Sequence, residues 1–244
     1  VNKDLPLILA LDTATSCSSV SLTRGDVYGG ELVATLSLNS KITHSRRLLT
    51  GIDWLLNENK IDLAEVDGFA VGLGPGSFTG LRIAMATVKG LAAATNKPLL
   101  GVSTLDALAL NCSGDKPLCA LIDARKKEIY RRWYLPDAQG IYRGQGSIEA
   151  LAPENLALEL TEQSLFVGDG LISYGEQLKE LLGNRMIMAP RSLYYPSAVS
   201  IGFLCCEQLQ KDEIMDLDSA VPLYVRASDA ELSLIKKKNN SNDT

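Results

Sequence analysis

The chain is 244 residues long with 46% hydrophobic and 22% charged residues, enough for one large domain or two lobes that each bury a core. Its 24 basic and 29 acidic side chains leave a net charge of −5, which excludes the body of the protein as an electrostatic nucleic-acid binder. No apolar run approaches the roughly 18 residues of a membrane span, and Val1-Asn2-Lys3-Asp4 does not open a signal peptide, so a cytoplasmic protein is expected.

The first predicted strand, Leu7 to Leu11, is wholly apolar and runs into Asp12-Thr13-Ala14-Thr15. Ser19 to Thr23 alternates around Val20, and after the Arg24-Gly25-Asp26 turn a third extended segment covers about Leu32 to Leu38. A helix follows over about Thr43 to Asn59. Leu48, Leu49, Ile52, Leu55 and Leu56 share one broad stripe of it, and Thr43 is the candidate cap. Phe69 to Leu73 reads as a short buried strand, Leu81 to Ala94 as a helix whose one breaker is Gly90, and Pro98 to Val102 as a further strand.

Between that strand and that helix lies Gly74-Pro75-Gly76-Ser77-Phe78-Thr79-Gly80. A glycine-rich strand-to-helix turn lets backbone come close to a neighbour and aims unpaired helix N–H groups at an anion or a polar partner. A Walker loop needs Lys and then Ser or Thr after its last glycine, where Leu81 and Arg82 stand. A hydrolase elbow needs glycines two before and two after its serine, where Ser77 has Pro75 and Thr79. Two readings remain open: a helix capped by Ser77 or Thr79 with turn glycines at 74 and 76, or a phosphate contact.

The second half repeats the opening. Leu118 to Ile122 is an apolar strand ending at Asp123-Ala124-Arg125, followed by alternating Ile129 to Tyr134 and a third strand near Tyr142 to Ile148. Segments at about Pro153 to Leu160, Leu165 to Val167, Ile172 to Leu182, Met186 to Met188 and Ser197 to Leu209 then alternate helix and strand. Ala10-Leu11-Asp12-Thr13 and Ala120-Leu121-Ile122-Asp123 are the same device, so a duplicated α/β domain is expected, with the lobe boundary near Ser103 to Pro117.

His44 is the single histidine, which makes a His-x-x-x-His metal pair impossible. With no nucleophile motif to serve, it reads as the opening of its helix or as an interface hydrogen bond. The five cysteines form no Cys-x-x-Cys pair, and Cys205-Cys206 sits in an apolar helical pattern, so buried small side chains are expected. Arg125-Lys126-Lys127 with Arg131-Arg132 is the dense basic cluster of the body, suited to RNA phosphates or an acidic partner. Alternation along a strand, however, sends Arg131 and Arg132 to opposite faces. The polar end with Lys236-Lys237-Lys238 is expected to be a disordered tail over 231–244.

Two lobes that each open on an Asp-tipped hairpin resemble the actin-like ATPase (ribonuclease H-like) fold of sugar kinases, Hsp70 and actin, whose hairpins cradle nucleotide phosphates. The resemblance implies lobes over 1–104 and 105–230, each a mixed sheet with helices, the last segment free to pack back on the first lobe. It makes Asp12, Thr13, Thr15, Gly74, Gly76 and Ser77 the nucleotide-contact candidates. Thr13 stands where the kinases have glycine, and Asp123-Ala124-Arg125 also lacks its glycines. A Cβ at these turns limits backbone approach, so ATP or ADP binding is expected to be weak, degenerate or absent, and Asp12 is expected to form an Asx turn rather than hold Mg²⁺.

Leu11-Asp12-Thr13-Ala14, His44-Ser45-Arg46-Arg47-Leu48-Leu49, the glycine turn through Ile83, Asp123-Ala124-Arg125 and Pro222-Leu223-Tyr224-Val225-Arg226 are together similar to the TsaB (YeaZ) family. That resemblance implies a part in forming N6-threonylcarbamoyladenosine in tRNAs that read codons beginning with A. The implied role is the non-catalytic partner of the transferase TsaD, which carries the His-x-x-x-His metal site. The ATPase TsaE would be the third member, tRNA contact would be indirect or weak, and the chain would form a homodimer when alone. No metal and no required cofactor are expected. The other reading is an active sugar or small-molecule kinase of the same fold. Small residues at helical spacing after the glycine turn, with the wide stripe and Trp54 of the earlier helix, suggest a docking face. His44, Leu48, Ile52, Leu55, Ala84, Thr87, Val88 and Leu91 are its expected residues; the bland reading is that both stripes cover their own sheet.

Overall fold

The computed structural model describes residues 4–39 and 44–226, the side chains of 44–47 excepted, and contains two five-stranded mixed sheets built to one plan. The first comprises β1 (Leu7–Asp12), β2 (Cys17–Arg24), β3 (Glu31–Asn39), β4 (Gly68–Gly72) and β5 (Leu99–Val102), in the order β3-β2-β1-β4-β5. β1, β2 and β3 are antiparallel neighbours, while β4 and β5 continue the sheet in parallel from β1. Helices α1 (His44–Glu58) and α2 (Phe78–Thr95) supply the crossovers. After α3 (Thr104–Leu110) comes the second sheet, of β6 (Leu118–Arg125), β7 (Glu128–Pro136), β8 (Tyr142–Leu151), β9 (Ser164–Val167) and β10 (Met186–Met188). Its order, β8-β7-β6-β9-β10, matches the first strand for strand and direction for direction. Helices α4 (Pro153–Glu159), α5 (Gly170–Leu182) and α6 (Ala198–Gln210), with 3-10 turns at Leu63–Glu65, Gly183–Arg185 and Arg191–Leu193, complete the described elements.

β1 is apolar at nearly every position because both of its faces are covered. Leu7, Leu9 and Leu11 join Leu48, Ile52 and Leu55 of α1 and Ala84 and Val88 of α2 in one core. Ile8 and Ala10 face the other way, onto Ala198, Ile201, Cys205 and Cys206 of α6. The last helix of the second half therefore lies on the first sheet, and the Ala198 N–H donates to the Ser19 hydroxyl of β2 at 3.1 Å.

From α6 the chain keeps to the seam. The Met215 N–H donates to the Leu99 carbonyl at 2.8 Å, Ala220 is buried in the first core, and the Leu223 N–H donates to the Leu73 carbonyl at 2.8 Å. Tyr224 packs on Phe78 with ring centroids 5.1 Å apart and its hydroxyl accepts from Arg82 at 3.1 Å. Arg226 then pairs with Glu128 and donates to the Ala124 carbonyl, in the second sheet. The segment 213–226 is a strap from one lobe to the other.

Two differences from the sequence reading bear on the glycine turn and the lobe boundary. α3 falls inside the expected lobe boundary and was not anticipated, because seven residues are too few to reveal a stripe. Ser103 caps it by accepting the Leu105 N–H at 3.1 Å, and Leu105 and Leu108 anchor it in the second core. α2 begins at Phe78, not Leu81, because Ser77 is its cap and accepts the Gly80 N–H at 3.3 Å. Thr43 and the 231–244 tail lie outside the described residues, as does the side chain of His44. Among the described residues no helix is long and apolar enough to cross a membrane.

Candidate functional site

The glycine turn closes onto the β1–β2 turn, and Asp12 lies where they meet. Asp12 is fully buried; its Oδ1 accepts the Ala14 N–H at 2.9 Å, an Asx turn, and its Oδ2 accepts the Thr104 hydroxyl at 3.1 Å. The Thr104 oxygen in turn accepts the Gly74 N–H at 3.1 Å, so one hydroxyl ties α3, β1 and the glycine turn together. Burial pushes the Asp12 carboxyl up to about 7; the Ala14 and Thr104 donors work against that rise, and the Asp169 charge in the other lobe adds to it.

Beside it, the Thr13 hydroxyl donates to the Gly80 carbonyl at 2.7 Å and the Ser77 N–H donates to the Ala14 carbonyl at 2.7 Å. A Cβ on Gly80 would overlap the Thr13 carbonyl oxygen, and one on Gly76 the Ala14 carbonyl oxygen. The glycines are thus needed for the close approach of two segments of this chain.

The second lobe repeats the arrangement. Asp123 Oδ1 accepts the Arg125 N–H at 2.8 Å, and its Oδ2 accepts the Ser173 hydroxyl at 2.9 Å. The turn from β9 into α5 is Gly168-Asp169-Gly170, where Gly168 has φ +123° and presses on the Leu121 carbonyl. Asp169 accepts the Asp123 N–H at 3.2 Å; burial first, and the Asp123 charge second, push its carboxyl up to about 6. Sequence reasoning missed Asp169 and Thr104. A Gly-x-Gly at a strand-to-helix junction was the available signal for Asp169, whereas nothing local marked Thr104.

These contacts decide where the expected nucleotide residues stand. Asp12, Thr13 and Thr15 are buried, Gly74 is buried, and only Gly76 and Ser77 of that set reach the surface. As free phosphate ligands the first three side chains are corrected: their polar atoms bond Ala14, Thr104, Gly80 and Cys17 of this chain. The Asx turn expected at Asp12 is the one observed, and among the described residues no group of three or more His, Cys, Asp or Glu is arranged to hold a metal. The five cysteines are buried. Burial raises all their thiols, with Cys112 and Cys206 at about 11, so none is set up as a nucleophile.

The docking-face expectation needs a similar correction. Leu48, Ile52, Leu55, Ala84 and Val88 are interior residues of the first core, so they do not line a free surface. Thr87 and Leu91 are half-buried at the border. What α2 leaves open is Thr79, Arg82, Ala86, Gly90, Ala93 and Ala94, next to the half-buried Ile83. α1 exposes Leu49 at 57% and Trp54 at 51%. A 3.6-residue stripe identifies the buried face of a helix but does not say what buries it. The basic cluster also divides: Arg131 pairs with Glu149 at 3.0 Å and Glu159 at 2.6 Å, and Arg132 with Asp106 at 2.9 Å on the other face. Arg125, Lys126 and Lys127 alone point outward.

Two sheets of one strand order, each opening on an Asp-tipped hairpin against which a glycine turn packs, define a protein of the actin-like, ribonuclease H-like fold. Residues 35–234 match the family profile described as TsaD, tRNA N6-adenosine threonylcarbamoyltransferase. The chain is 30% identical to the tRNA threonylcarbamoyladenosine biosynthesis protein TsaB of Escherichia coli K12, over 90% of this chain and 94% of that one. It is 32% identical to the TsaB of Haemophilus influenzae, over 90% and 93%. Among solved structures, a Pseudomonas aeruginosa protein described as similar to peptidase YeaZ superposes with a TM-score of 0.76 at 32% identity, covering 91% of this chain and 100% of that one. YeaZ from the same organism gives 0.72 at 33%, covering 90% and 100%. The chain belongs to the TsaB (YeaZ) family of tRNA threonylcarbamoyladenosine biosynthesis.

Proposed function

We propose that this chain is the non-catalytic partner of TsaD and is required for N6-threonylcarbamoyladenosine formation in tRNAs that read codons beginning with A. The observation that carries the reading is a mismatch: the chain matches the transferase profile, yet it has one histidine in 244 residues and cannot build a His-x-x-x-His metal site. Kinase chemistry is disfavoured by the same turns, since the Asp12–Thr15 segment that would meet phosphate is packed beneath the glycine turn. Its contribution is then mechanical. The glycine turn fixes the start of α2, and the open face of α2 is the surface offered to TsaD. The same face would pair two copies when TsaD is absent. TsaE completes the assembly, the chain works in the cytoplasm without a cofactor of its own, and TsaD holds the reacting groups.

Small residues at 86, 90 and 93 allow close helix approach, and a charge placed among them would be desolvated on docking. Ala86→Glu with Ala93→Glu therefore tests the reading without touching the core. The folded variant should lose TsaD binding by at least a hundredfold and fail to support the modification in a reconstitution with TsaD, TsaE and tRNA. Equal yields of modified nucleoside with and without the unaltered chain would defeat the proposal outright.

A further inference from the structure

The tip of the β6–β7 hairpin carries cations where its backbone calls for other residues. Arg125 pairs with Glu128 across the hairpin, so Lys126 and Lys127 are the two turn residues. Their φ values are +54° and +64°, the pattern of a type I′ turn, for which Asn-Gly is the low-energy choice. Arg125, at the register shift just before the turn, is also left-handed with φ +61°. Three consecutive side chains thus occupy a conformation that L-residues avoid, and all three are basic and exposed. Strain of this kind persists where the surrounding structure holds it, and such positions cluster at functional sites.

The tip is also held rigidly. The Asp123 Asx turn and its bond to Ser173 fix one side, and Arg226 of the strap donates to the Ala124 carbonyl. Among the described residues, Asp123 pairs with Arg125 at 3.3 Å, Glu128 pairs with Arg226, and Asp169 is buried beneath Asp123. Arg125 nevertheless keeps 81% of its side chain exposed. Within 123–128 no apolar side chain is exposed, so the tip lacks the apolar centre of a protein interface. A pre-positioned set of cations without an apolar centre suits a phosphate backbone.

We propose that the Arg125-Lys126-Lys127 tip contacts the phosphate backbone of RNA, which, resting on the function proposed above, is the tRNA held by the assembly. The contact is sequence-independent and positions the substrate, while the net charge of −5 confines binding to this spot.

The test uses the complete assembly with TsaD and TsaE and a tRNA transcript, with affinity measured from 50 to 200 mM salt. Arg125→Gln with Lys127→Gln should weaken binding at least tenfold at the low-salt end. It should also reduce the slope of log K against log salt by about 1.5 to 2, the loss of two phosphate contacts. Arg125→Gly with Lys127→Gly should weaken binding equally while the melting temperature holds or rises, because glycine relieves the left-handed positions. Unchanged affinity and slope would overturn the proposal. So would loss of TsaD or TsaE from the mutant assembly, which would mean an acidic protein surface, or a fall in melting temperature of the glycine variant, which would mean a structural role. The same titration on the isolated chain separates the two readings. A tip-dependent RNA affinity there, together with modification that proceeds without the chain, would sink the functional assignment and leave the RNA contact standing.

Discussion

Replacing Asp12 with asparagine isolates the cost of holding a carboxyl between the lobes. Its pKa is about 7 in the fold against 3.8 for an unperturbed group, because burial disfavours the charge more than the Ala14 and Thr104 donors favour it. A carboxyl whose pKa rises on folding keeps its proton longer in the native chain than in the unfolded one. The native state is thus favoured at low pH, and that advantage is lost as the pH climbs from about 4 to about 7, then stays lost. About three pKa units at roughly 1.36 kcal/mol each give a swing of about 4 kcal/mol. Asparagine keeps an oxygen for the Ala14 N–H and does not titrate. Urea unfolding of both chains at constant ionic strength should therefore show Asp12→Asn gaining about 4 kcal/mol on the parent between pH values near 4 and 8. The lowered carboxyls of Asp26, Asp137 and Asp216 lose their contribution only as pH falls through their folded values, and they cancel between the two chains. A stability difference that stays constant within about 1 kcal/mol over that range would refute the account of Asp12.

Gly80→Ala forces a methyl into the Thr13 carbonyl and should cost about 2 kcal/mol or more in urea unfolding, with weaker TsaD capture because α2 is displaced. All five thiols are buried with raised pKa values, so a thiol reagent at mildly alkaline pH should label none in the native protein and five after denaturation. Tyr224→Ala removes the ring that packs on Phe78, and hydrogen exchange at the Leu223 amide should accelerate while the Leu9 amide in β1 keeps its protection. Equal acceleration at both would mean that the strap is part of the global folding unit.

Elements with a strong period were legible from the chain. β1 and β6 announce themselves as apolar runs ending in aspartate, and their repetition was enough to expect two lobes of one plan. Tertiary information was not legible. Leu48 and Ala84 look like docking residues on a helical wheel because a wheel records which side is apolar, and only the fold reveals β1 beneath that side. Asp12 could be read as a turn former from its type, yet its carboxyl pairs with Thr104, 92 residues away, and no local pattern encodes that partner. The glycine turn was placed correctly between strand and helix, but the partner of its close approach, the carbonyls of Thr13 and Ala14, belongs to another turn. Short α3 escaped for want of length, and Tyr224 and Arg226 had no local chemistry until Phe78, Arg82 and Glu128 came into reach.

The seating of α6 on the first sheet sets the order in which the protein can mature on the ribosome. Ile8, Ala10, Ala70 and Leu100 precede their cover, Ala198 to Cys206, by about a hundred residues or more of synthesis. The Ser19–Ala198 hydrogen bond closes a loop of 179 residues. Until that helix emerges, the nascent sheet presents an apolar face and the unpaired hydroxyls of β2 to its surroundings. Completion of the fold is therefore slow in the sense that non-local contacts are slow, and it waits until α6 has been made. Cutting the chain between the lobes would not release an independent N-terminal half; it would strand a sheet with one bare side.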